Sequence, residues 1–147
     1  MTSLSFPDIN VWVALAAIEH EHRVIAARWW ASYKGSIAFC RLSQLGLLRL
    51  LTTAAFMDGR PLSNRQALGV YDRFFEDGRV TFFSEMPETE RQFRRHAATT
   101  TASPKLWADA WLLAFAQAAG GTLVTFDQAL AERSSQCLLL KREANQP

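Results

Sequence analysis

Short apolar segments alternate along the chain with longer segments of helical periodicity. The short segments predict five strands, namely the residues before Pro7, Ser36–Arg41, Arg79–Phe83, 122–126 and Cys137–Leu140. The longer segments predict helices that begin near Val11, Arg23, Ser43, Ser63, Pro87 and Pro104. Strands that alternate with helices indicate an α/β fold. We expect three layers, α/β/α, with helices on both faces of a central, mainly parallel sheet.

The stretch 103–127 carries the most informative side chain, Asp109. Ser103 and Pro104 have the residue types of an N-cap and a first helical position, and two glycines end the apolar run at 120 and 121. From 106 to 116, Asp109 is the one side chain that is not apolar. Because a helix that is apolar on nearly all sides is usually buried, we expect Asp109 near the core, in the second helical turn. A carboxylate there must shift its pKa, find hydrogen-bond donors or coordinate a cation.

Two further acids directly follow predicted strands. Asp8 comes after the first strand, which a proline ends because it donates no ladder hydrogen bond. Asp127 comes after the fourth strand. Ligands of open α/β sheets bind in the crevice outside the carboxyl ends of the strands. We therefore expect Asp8, Asp109 and Asp127 to meet in that crevice.

Three carboxylates in one crevice need a partner. They repel one another by about 4 kcal/mol per pair at 4 Å when the effective dielectric constant is near 20. A shared proton or a divalent cation relieves this repulsion. Oxygen ligands without Cys or His favour Mg²⁺ or Mn²⁺, held partly through water, and such sites usually serve phosphate chemistry. The ion would lower the pKa of a bound water and neutralise charge on a scissile phosphodiester. Taken singly, each acid has the alternative of a helix cap or an ion pair.

Composition narrows the picture to a globular protein. With 147 residues, 49% hydrophobic and 20% charged, the chain can bury a single core, so we assign 1–141 to one domain and 142–147 to a flexible tail. The formal net charge of +2 permits RNA binding without requiring it.

Cysteine usage and hydropathy indicate the compartment. Cys40 and Cys137 show no metal-ligand spacing and fit small core residues in a reducing cytoplasm. The longest uncharged run, Ala110 to Phe126, is broken by Gln117 and two glycines. It falls short of the about 20 apolar residues that a membrane span needs. We therefore expect a cytoplasmic protein that does not enter a membrane.

Four segments carry a family resemblance. They are F-P-D-I-N-V-W-V-A-L at 6–15, S-Q-L-G-L-L-R-L-L-T at 43–52, W-A-D-A-W-L-L-A-F-A at 107–116 and L-V-T-F-D-Q-A-L at 123–130. In order and spacing they resemble the successive motifs of PIN-domain ribonucleases, and the chain is most similar to VapC-type toxins of bacterial toxin–antitoxin pairs. The resemblance covers nearly the whole chain and implies metal-dependent endonucleolytic cleavage of RNA. It also implies a homodimer and a cognate antitoxin whose C-terminal segment fills the site.

The same resemblance implies roles for individual residues. Asp8, Asp109 and Asp127 correspond to acids that hold Mg²⁺ or Mn²⁺. Thr125 and Asn10 match polar positions that support these acids. From its residue type alone, we also expect Asn10 to cap the first helix.

One position departs from the family's commonest pattern, which has Glu where this chain has Gln44. A neutral amide oxygen can still coordinate a metal or orient water, but it binds a divalent cation more weakly and cannot act as a general base. We therefore expect Gln44 in a supporting role, weaker metal binding and one principal ion instead of two. Arg49, on the same predicted helix, is expected either to approach a phosphate or to extend into solvent from an apolar helix.

Two other functions compete with this interpretation. A receiver-like regulatory domain also gathers acids around Mg²⁺ at strand ends, and Lys141 resembles its late-strand lysine. Receivers, however, present adjacent acids after the first strand, whereas Asp8 is followed by Ile9, and they have no counterpart of Asp109. The nearer alternative is a catalytically weak PIN-like module that binds RNA or protein, which Gln44 favours.

The chain also has many large apolar side chains for a small monomer: Trp12, Leu15, Trp29, Trp30 and the leucines at 47–51. Ordinary core packing is one explanation. A dimer interface or an antitoxin groove is the other.

Overall fold

The centre of the structure is a sheet in which all hydrogen-bonded neighbours are parallel. The computed structural model describes residues 3–17 and 20–141, and the predicted tail at 142–147 lies outside them. Within this part, the strands are Leu4–Pro7 (β1), Ser36–Phe39 (β2), Val80–Phe82 (β3), Thr122–Thr125 (β4) and Cys137–Leu139 (β5). The helices are Ile9–Ala16 (α1), Arg23–Ser32 (α2), Arg41–Leu51 (α3), Asn64–Phe74 (α4), Thr89–Ala97 (α5), Leu106–Ala119 (α6) and Gln128–Ala131 (α7). The predicted parallel α/β fold is confirmed.

The strand order β3-β2-β1-β4-β5 puts a topological switch point at the middle of the sheet. From β1 the chain builds outward through β2 and β3, and it then crosses to add β4 and β5 on the other side of β1. The backbone N–H of Asp8 donates to the carbonyl of Val124 at 2.7 Å, just past the last register pair of β1 and β4. Ligand crevices of open α/β sheets form at such switch points.

Helices cover both faces of the sheet because successive strand residues point to opposite sides. Ile37 and Phe39 of β2 pack on one side, and Ala38 between them packs on the other. The first core lies mainly against α1, α3 and α4, and the second lies against α6 and α7. Two cores separated by one sheet give the three layers that the sequence predicted.

Core packing explains most of the large apolar side chains. The ring of Trp12 is fully buried and stacks on Phe39, with 3.6 Å between the ring centroids. Also buried are Trp29, Leu47 and Leu51. None of the described helices is long and apolar enough to cross a membrane.

The first helix begins directly after its strand, which makes the predicted cap at Asn10 wrong. Asp8 caps α1 instead, because its carboxylate accepts the backbone N–H of Ile9 at 2.6 Å. Asn10 is consequently an exposed residue inside the helix. The connection is so short that the acid ending the strand is also the helix cap.

Two other helix starts differ from prediction. Ser43 does not cap α3, which begins at Arg41; it is the third helical residue, and its hydroxyl accepts the N–H of Cys40 at 3.0 Å. Likewise Ser103 does not cap α6, which begins at Leu106. Asp109 therefore lies in the first turn of α6 instead of the second, closer to the carboxyl edge of the sheet.

Two glycines turn α6 into β4, as predicted. Gly120 ends the helix with φ of 70°, a left-handed conformation that glycine adopts without steric cost. A Cβ atom on Gly121 would lie 2.7 Å from the ring of Phe6 and 2.9 Å from the carbonyl oxygen of Leu4. The missing side chain lets the start of β4 approach β1 closely.

Candidate active site

Asp8 is the buried acid of the switch point, with 8% of its surface exposed. One carboxylate oxygen accepts the backbone N–H of Ile9, and the other accepts the hydroxyl of Thr125 at 3.0 Å. Burial raises the pKa of Asp8, the two hydrogen bonds oppose that rise, and the charge of Asp127 adds to it. The carboxylate is therefore held in a fixed orientation, at a place where its negative charge is poorly solvated.

Thr125 connects the acids of the two central strands. It is fully buried at the end of β4, and its hydroxyl accepts the backbone N–H of Asp127 at 3.0 Å while donating to Asp8. The carboxylate of Asp127 in turn caps α7 by accepting the N–H of Leu130 at 3.1 Å. One hydroxyl thus spans the switch point and sets how the two acid-bearing segments lie relative to each other.

Asp109 approaches the same crevice from α6 and is half-buried. Burial raises the pKa of its carboxyl, and the charges of Asp8 and Asp127 raise it further, whereas Arg133 lowers it. The structure therefore brings all three predicted acids within electrostatic reach of one another. They come from distant parts of the sequence: Asp8 lies 117 positions before Thr125, the residue that contacts both Asp8 and Asp127.

The three acids do not form a closed metal cage. Among residues 3–17 and 20–141, no group of three or more His, Cys, Asp and Glu side chains is arranged to hold an ion directly. Carboxylates influence one another's pKa over distances longer than a direct magnesium–oxygen bond, which is about 2.0–2.1 Å. The three acids can therefore interact electrostatically without being close enough to enclose an ion. Mg²⁺ usually keeps several waters and binds through one or two carboxylates. The donor set fits a hydrated Mg²⁺ or Mn²⁺ better than an ion enclosed by protein.

Gln44 lies near the start of α3, where its side chain forms a hydrogen bond. Its side-chain oxygen accepts a hydrogen bond from Arg41. The guanidinium of Arg41 lies over the ring of Phe82, 4.9 Å from its centre. Gln44 is thus oriented by Arg41, which packs against β3.

Arg49 and Asn10 lie apart from the acid cluster. Arg49 is exposed and follows Gln44 by five residues, which is about 7.5 Å along the helix axis. Together with Leu48 and Leu68, it lines a groove of about 260 Å³ between α3 and α4. Asn10 is exposed in the first turn of α1. Of the predicted supporting residues, Thr125 is the one that contacts an acid of the crevice.

Arg133 was missed by the sequence reasoning, together with the short helix α7. Its Nη2 atom donates to the backbone carbonyl of His96 at 2.7 Å, and its charge lowers the pKa of Asp109. A signal was present, because a basic residue six positions after Asp127 lies within reach of whatever that acid contacts.

The fold agrees with a comparison of the sequence with known families. Residues 5–135 match the family model of the PIN domain. The chain therefore belongs to the PIN-domain family. Within that family it is similar to Ribonuclease VapC41 of Mycobacterium tuberculosis, strains CDC 1551 / Oshkosh and ATCC 25618 / H37Rv. The identity is 38% over 131 residues, which cover 85% of this chain and 90% of that protein.

Solved structures share the same fold. The Mycobacterium tuberculosis toxin VapC20, which cleaves the Sarcin-Ricin loop, matches 88% of this chain and 95% of its own with a TM-score of 0.67 at 17% identity. The VapBC2 complex of Rickettsia felis, bound to a promoter DNA fragment, matches 95% of this chain and 99% of its own, with a TM-score of 0.66 at 13% identity. A toxin–antitoxin complex of Klebsiella pneumoniae matches 91% of this chain and 95% of its own, with a TM-score of 0.59 at 12% identity.

Proposed function

We propose that this protein is the toxin of a type II toxin–antitoxin pair and hydrolyses RNA phosphodiester bonds with Mg²⁺ or Mn²⁺. Asp8, Asp109 and Asp127 would hold the ion. The observation that carries the proposal is the hydrogen-bonded link at the switch point, where the Thr125 hydroxyl donates to Asp8 and accepts the N–H of Asp127, beside a half-buried Asp109 whose pKa both acids raise. The similarity to Ribonuclease VapC41 over most of its length supports RNA as the substrate.

The protein side chains have separable tasks in this proposal. When bound, the ion would supply an activated water and neutralise charge on the phosphodiester. Asp8 would hold its position through Ile9 and Thr125, which fix both of its oxygens. Asp109 would contribute a second carboxylate whose orientation is less constrained, since it is half-buried. Gln44 would support the site without acting as a base, because an amide side chain does not take up a proton at neutral pH.

The central experiment measures cleavage of a cellular RNA extract by the purified protein, with Mn²⁺ or Mg²⁺ and with a chelator. We expect cleavage only with the ion, and Asp109→Asn should reduce the rate by at least about a hundredfold. Asp72→Asn, which makes the same charge change on the exposed face of α4, should cleave normally. Sequencing the new RNA ends would then define the cleaved site.

Two results would contradict the proposal. Cleavage that survives Asp109→Asn would exclude this acid as an essential ligand. RNA binding by the wild-type protein without any metal-dependent cleavage would instead identify the catalytically weak binding module that Gln44 favours.

An antitoxin is the expected protein partner, since two structural neighbours are toxin–antitoxin complexes. A basic side chain from its C-terminal segment would suit the three acids electrostatically. Both partners would act in the cytoplasm, which the two free thiols Cys40 and Cys137 support. The test is to co-express the protein encoded beside this one and measure co-purification and loss of cleavage. Undiminished cleavage in a stable complex would contradict occupation of the site.

A homodimer is the expected assembly. Leu45 on α3 and Leu68 on α4 are about half exposed, at 55% and 48%, and both helices border the same groove. Light scattering should give twice the chain mass, and Leu45→Asp combined with Leu68→Asp should give a monomer. Val24→Asp, at an exposed apolar position on α2, is the control and should remain dimeric. A wild-type monomer would contradict this assignment.

A further inference from the structure

A second polar feature lies on the α6 side of the sheet. It is a cleft of about 460 Å³ between α5, the C-terminal half of α6 and the segment before β5. Its lining residues are Gln92, Arg95, His96, Gln117 and Gln136. None of these five is acidic, so the cleft is a cationic, amide-rich site in contrast to the three-acid crevice.

Arg95 is the arginine of α5 that is available to a ligand. Arg91 forms an ion pair with Glu88, and Arg94 forms one with Glu90 at 2.8 Å. In the described part of the chain, no ion pair of this kind engages Arg95, which is exposed at the cleft. A guanidinium placed in this way can bind the two oxygens of a phosphate.

The other side chains of the cleft are held in place. The Nε2 atom of His96 lies 2.8 Å from the side-chain oxygen of Gln117, so it donates there and leaves the amide nitrogen of Gln117 for a ligand. Arg133 donates to the carbonyl of His96 and thereby offsets the negative end of α5. The cleft therefore presents a positioned donor, the side-chain amide nitrogen of Gln117, together with the exposed Arg95.

The cleft is physically connected to the three acids. Arg133 contacts His96 at the cleft, and its charge reaches Asp109 in the crevice. Asp109 and Gln117 lie eight residues apart on α6, which is about 12 Å along the helix axis. A single RNA strand can span this distance within a few nucleotides.

We propose that this cleft binds a backbone phosphate of the RNA, together with its ribose, a few nucleotides from the scissile bond. The inference rests on the proposed ribonuclease function and assigns Arg95 the phosphate. The glutamines explain why RNA fits better than an acidic peptide: an amide both donates and accepts, as a 2′-hydroxyl does, whereas a carboxylate only accepts. Opposite a carboxylate, the side-chain oxygens of Gln92 and Gln136 would have no donor, whereas that of Gln117 already accepts from His96.

The first test measures binding of a fluorescently labelled all-uridine RNA in a chelator, so that the wild-type protein binds without cleaving. Arg95→Ala should weaken binding about tenfold, as expected for one lost charge-assisted hydrogen bond. The slope of log affinity against log salt should also become shallower by about 0.7, the value for one phosphate contact on a single strand. Arg65→Ala, on the exposed face of α4, removes the same charge and should change neither quantity.

The second test concerns the ribose. Gln136→Ala should weaken binding of the all-uridine RNA by several-fold and leave binding of the matching deoxyuridine strand unchanged. An equal loss for both strands would overturn the ribose contact. Because Arg95 and Gln136 are both exposed, the variants should melt at the wild-type temperature, which circular dichroism checks.

Several outcomes would overturn the phosphate assignment. One is an equal loss of RNA affinity in Arg95→Ala and Arg65→Ala. Another is a cleft that binds a polyglutamate peptide or inorganic phosphate through Arg95 while RNA binding is unaffected. Failure of the proposed function is distinct from these, since it appears as absent metal-dependent cleavage by the wild type. Normal cleavage with unchanged RNA binding in Arg95→Ala would contradict the cleft proposal and leave the proposed ribonuclease function intact.

Discussion

The hydroxyl of Thr125 donates to the carboxylate of Asp8 at 3.0 Å, joining residues 117 positions apart in the sequence. The same hydroxyl accepts the backbone N–H of Asp127. This contact forms only when β1 and β4 pair in their observed register, in which Pro7 lies opposite Val124. The central pairing of the sheet and the arrangement of the acids are therefore established together.

Removing the Thr125 hydroxyl should damage both stability and activity. Thr125→Val keeps the shape but removes the partner of one Asp8 carboxylate oxygen and of the Asp127 N–H, which should cost about 1–3 kcal/mol of unfolding free energy. The pKa of Asp8 should rise further, because the Thr125 hydrogen bond lowers it. Urea denaturation and the rate of RNA cleavage measure the two effects.

Thr81→Val is the matched control for this prediction. Thr81 is exposed on β3, where valine suits a strand, so stability should change by less than about 0.5 kcal/mol. Thr125→Ser should restore most of the lost activity. Equal stability losses at the two threonines would show that the buried hydroxyl has no special role.

Asp109 should make the metal-free protein less stable as the pH rises. Burial and the charges of Asp8 and Asp127 raise the folded-state pKa of Asp109, so the folded state binds this proton more tightly than the unfolded state does. The stabilising contribution of the protonated group is present below 3.8, the ordinary pKa of an aspartate, and is lost as the pH rises through the folded-state pKa. Asp109→Asn should therefore melt at a higher temperature than the wild type at neutral pH in a chelator.

The pH dependence of the melting temperature tests this sign. The difference in melting temperature between Asp109→Asn and the wild type should shrink as the pH falls toward 3.8, the ordinary pKa of an aspartate. At neutral pH, Mn²⁺ should raise the melting temperature of the wild type and have little effect on the variant. Asp72→Asn on α4 should follow the wild type throughout. A variant less stable than the wild type at neutral pH would contradict the interpretation.

Gln44→Glu should strengthen metal binding. The substitution adds a carboxylate near the start of α3, which directly follows the carboxyl end of β2, and isothermal titration with Mn²⁺ should give several-fold tighter binding. Arg41 will attract the new charge, since it already donates to Gln44. The gain should therefore be larger when Gln44→Glu is combined with Arg41→Ala. Unchanged or weaker Mn²⁺ binding in both variants would show that position 44 does not belong to the metal site.

Gly121→Ala should destabilise the fold by about 1–3 kcal/mol, because its methyl group would collide with Phe6 and with the backbone of Leu4. The strain falls on the pairing of β1 with β4, so cleavage should also decrease. The same substitution at Gly69, in the open middle of α4, should instead stabilise by about 0.5–1 kcal/mol. Thermal or urea unfolding measures the stability of both variants. Changes of the same sign for Gly121→Ala and Gly69→Ala would contradict this prediction.

Local pattern predicted the elements well and placed the starts of α2 and α4 correctly, but it misplaced the starts of α1, α3 and α6. Periodicity is a property of neighbouring residues, so strands, helices and the glycine turn at 120–121 could be inferred without any tertiary contact. The caps at Asn10, Ser43 and Ser103 were predicted wrongly. A helix starts where the chain leaves the strand or loop before it, and at Asp8 that point depends on the pairing of β1 with β4.

The cleft around Arg95 was outside the reach of the sequence. Its lining comes from α5, α6 and the segment before β5, and it exists because α5 packs against α6. The hydrogen bond of Gln44 with Arg41 was equally hidden, since the rotamer and neighbours of an amide side chain follow from packing.

The sequence by itself determined the class of fold, the PIN-type order of motifs and the acids at positions 8, 109 and 127. Each of these depends on residue type and on spacing along the chain. Only the tertiary structure decided the strand order, the hydroxyl that links Asp8 to Asp127 and the connection from Asp109 through Arg133 to a cationic cleft. These depend on which distant segments pack together, and that choice minimises the free energy of the whole chain instead of any one segment.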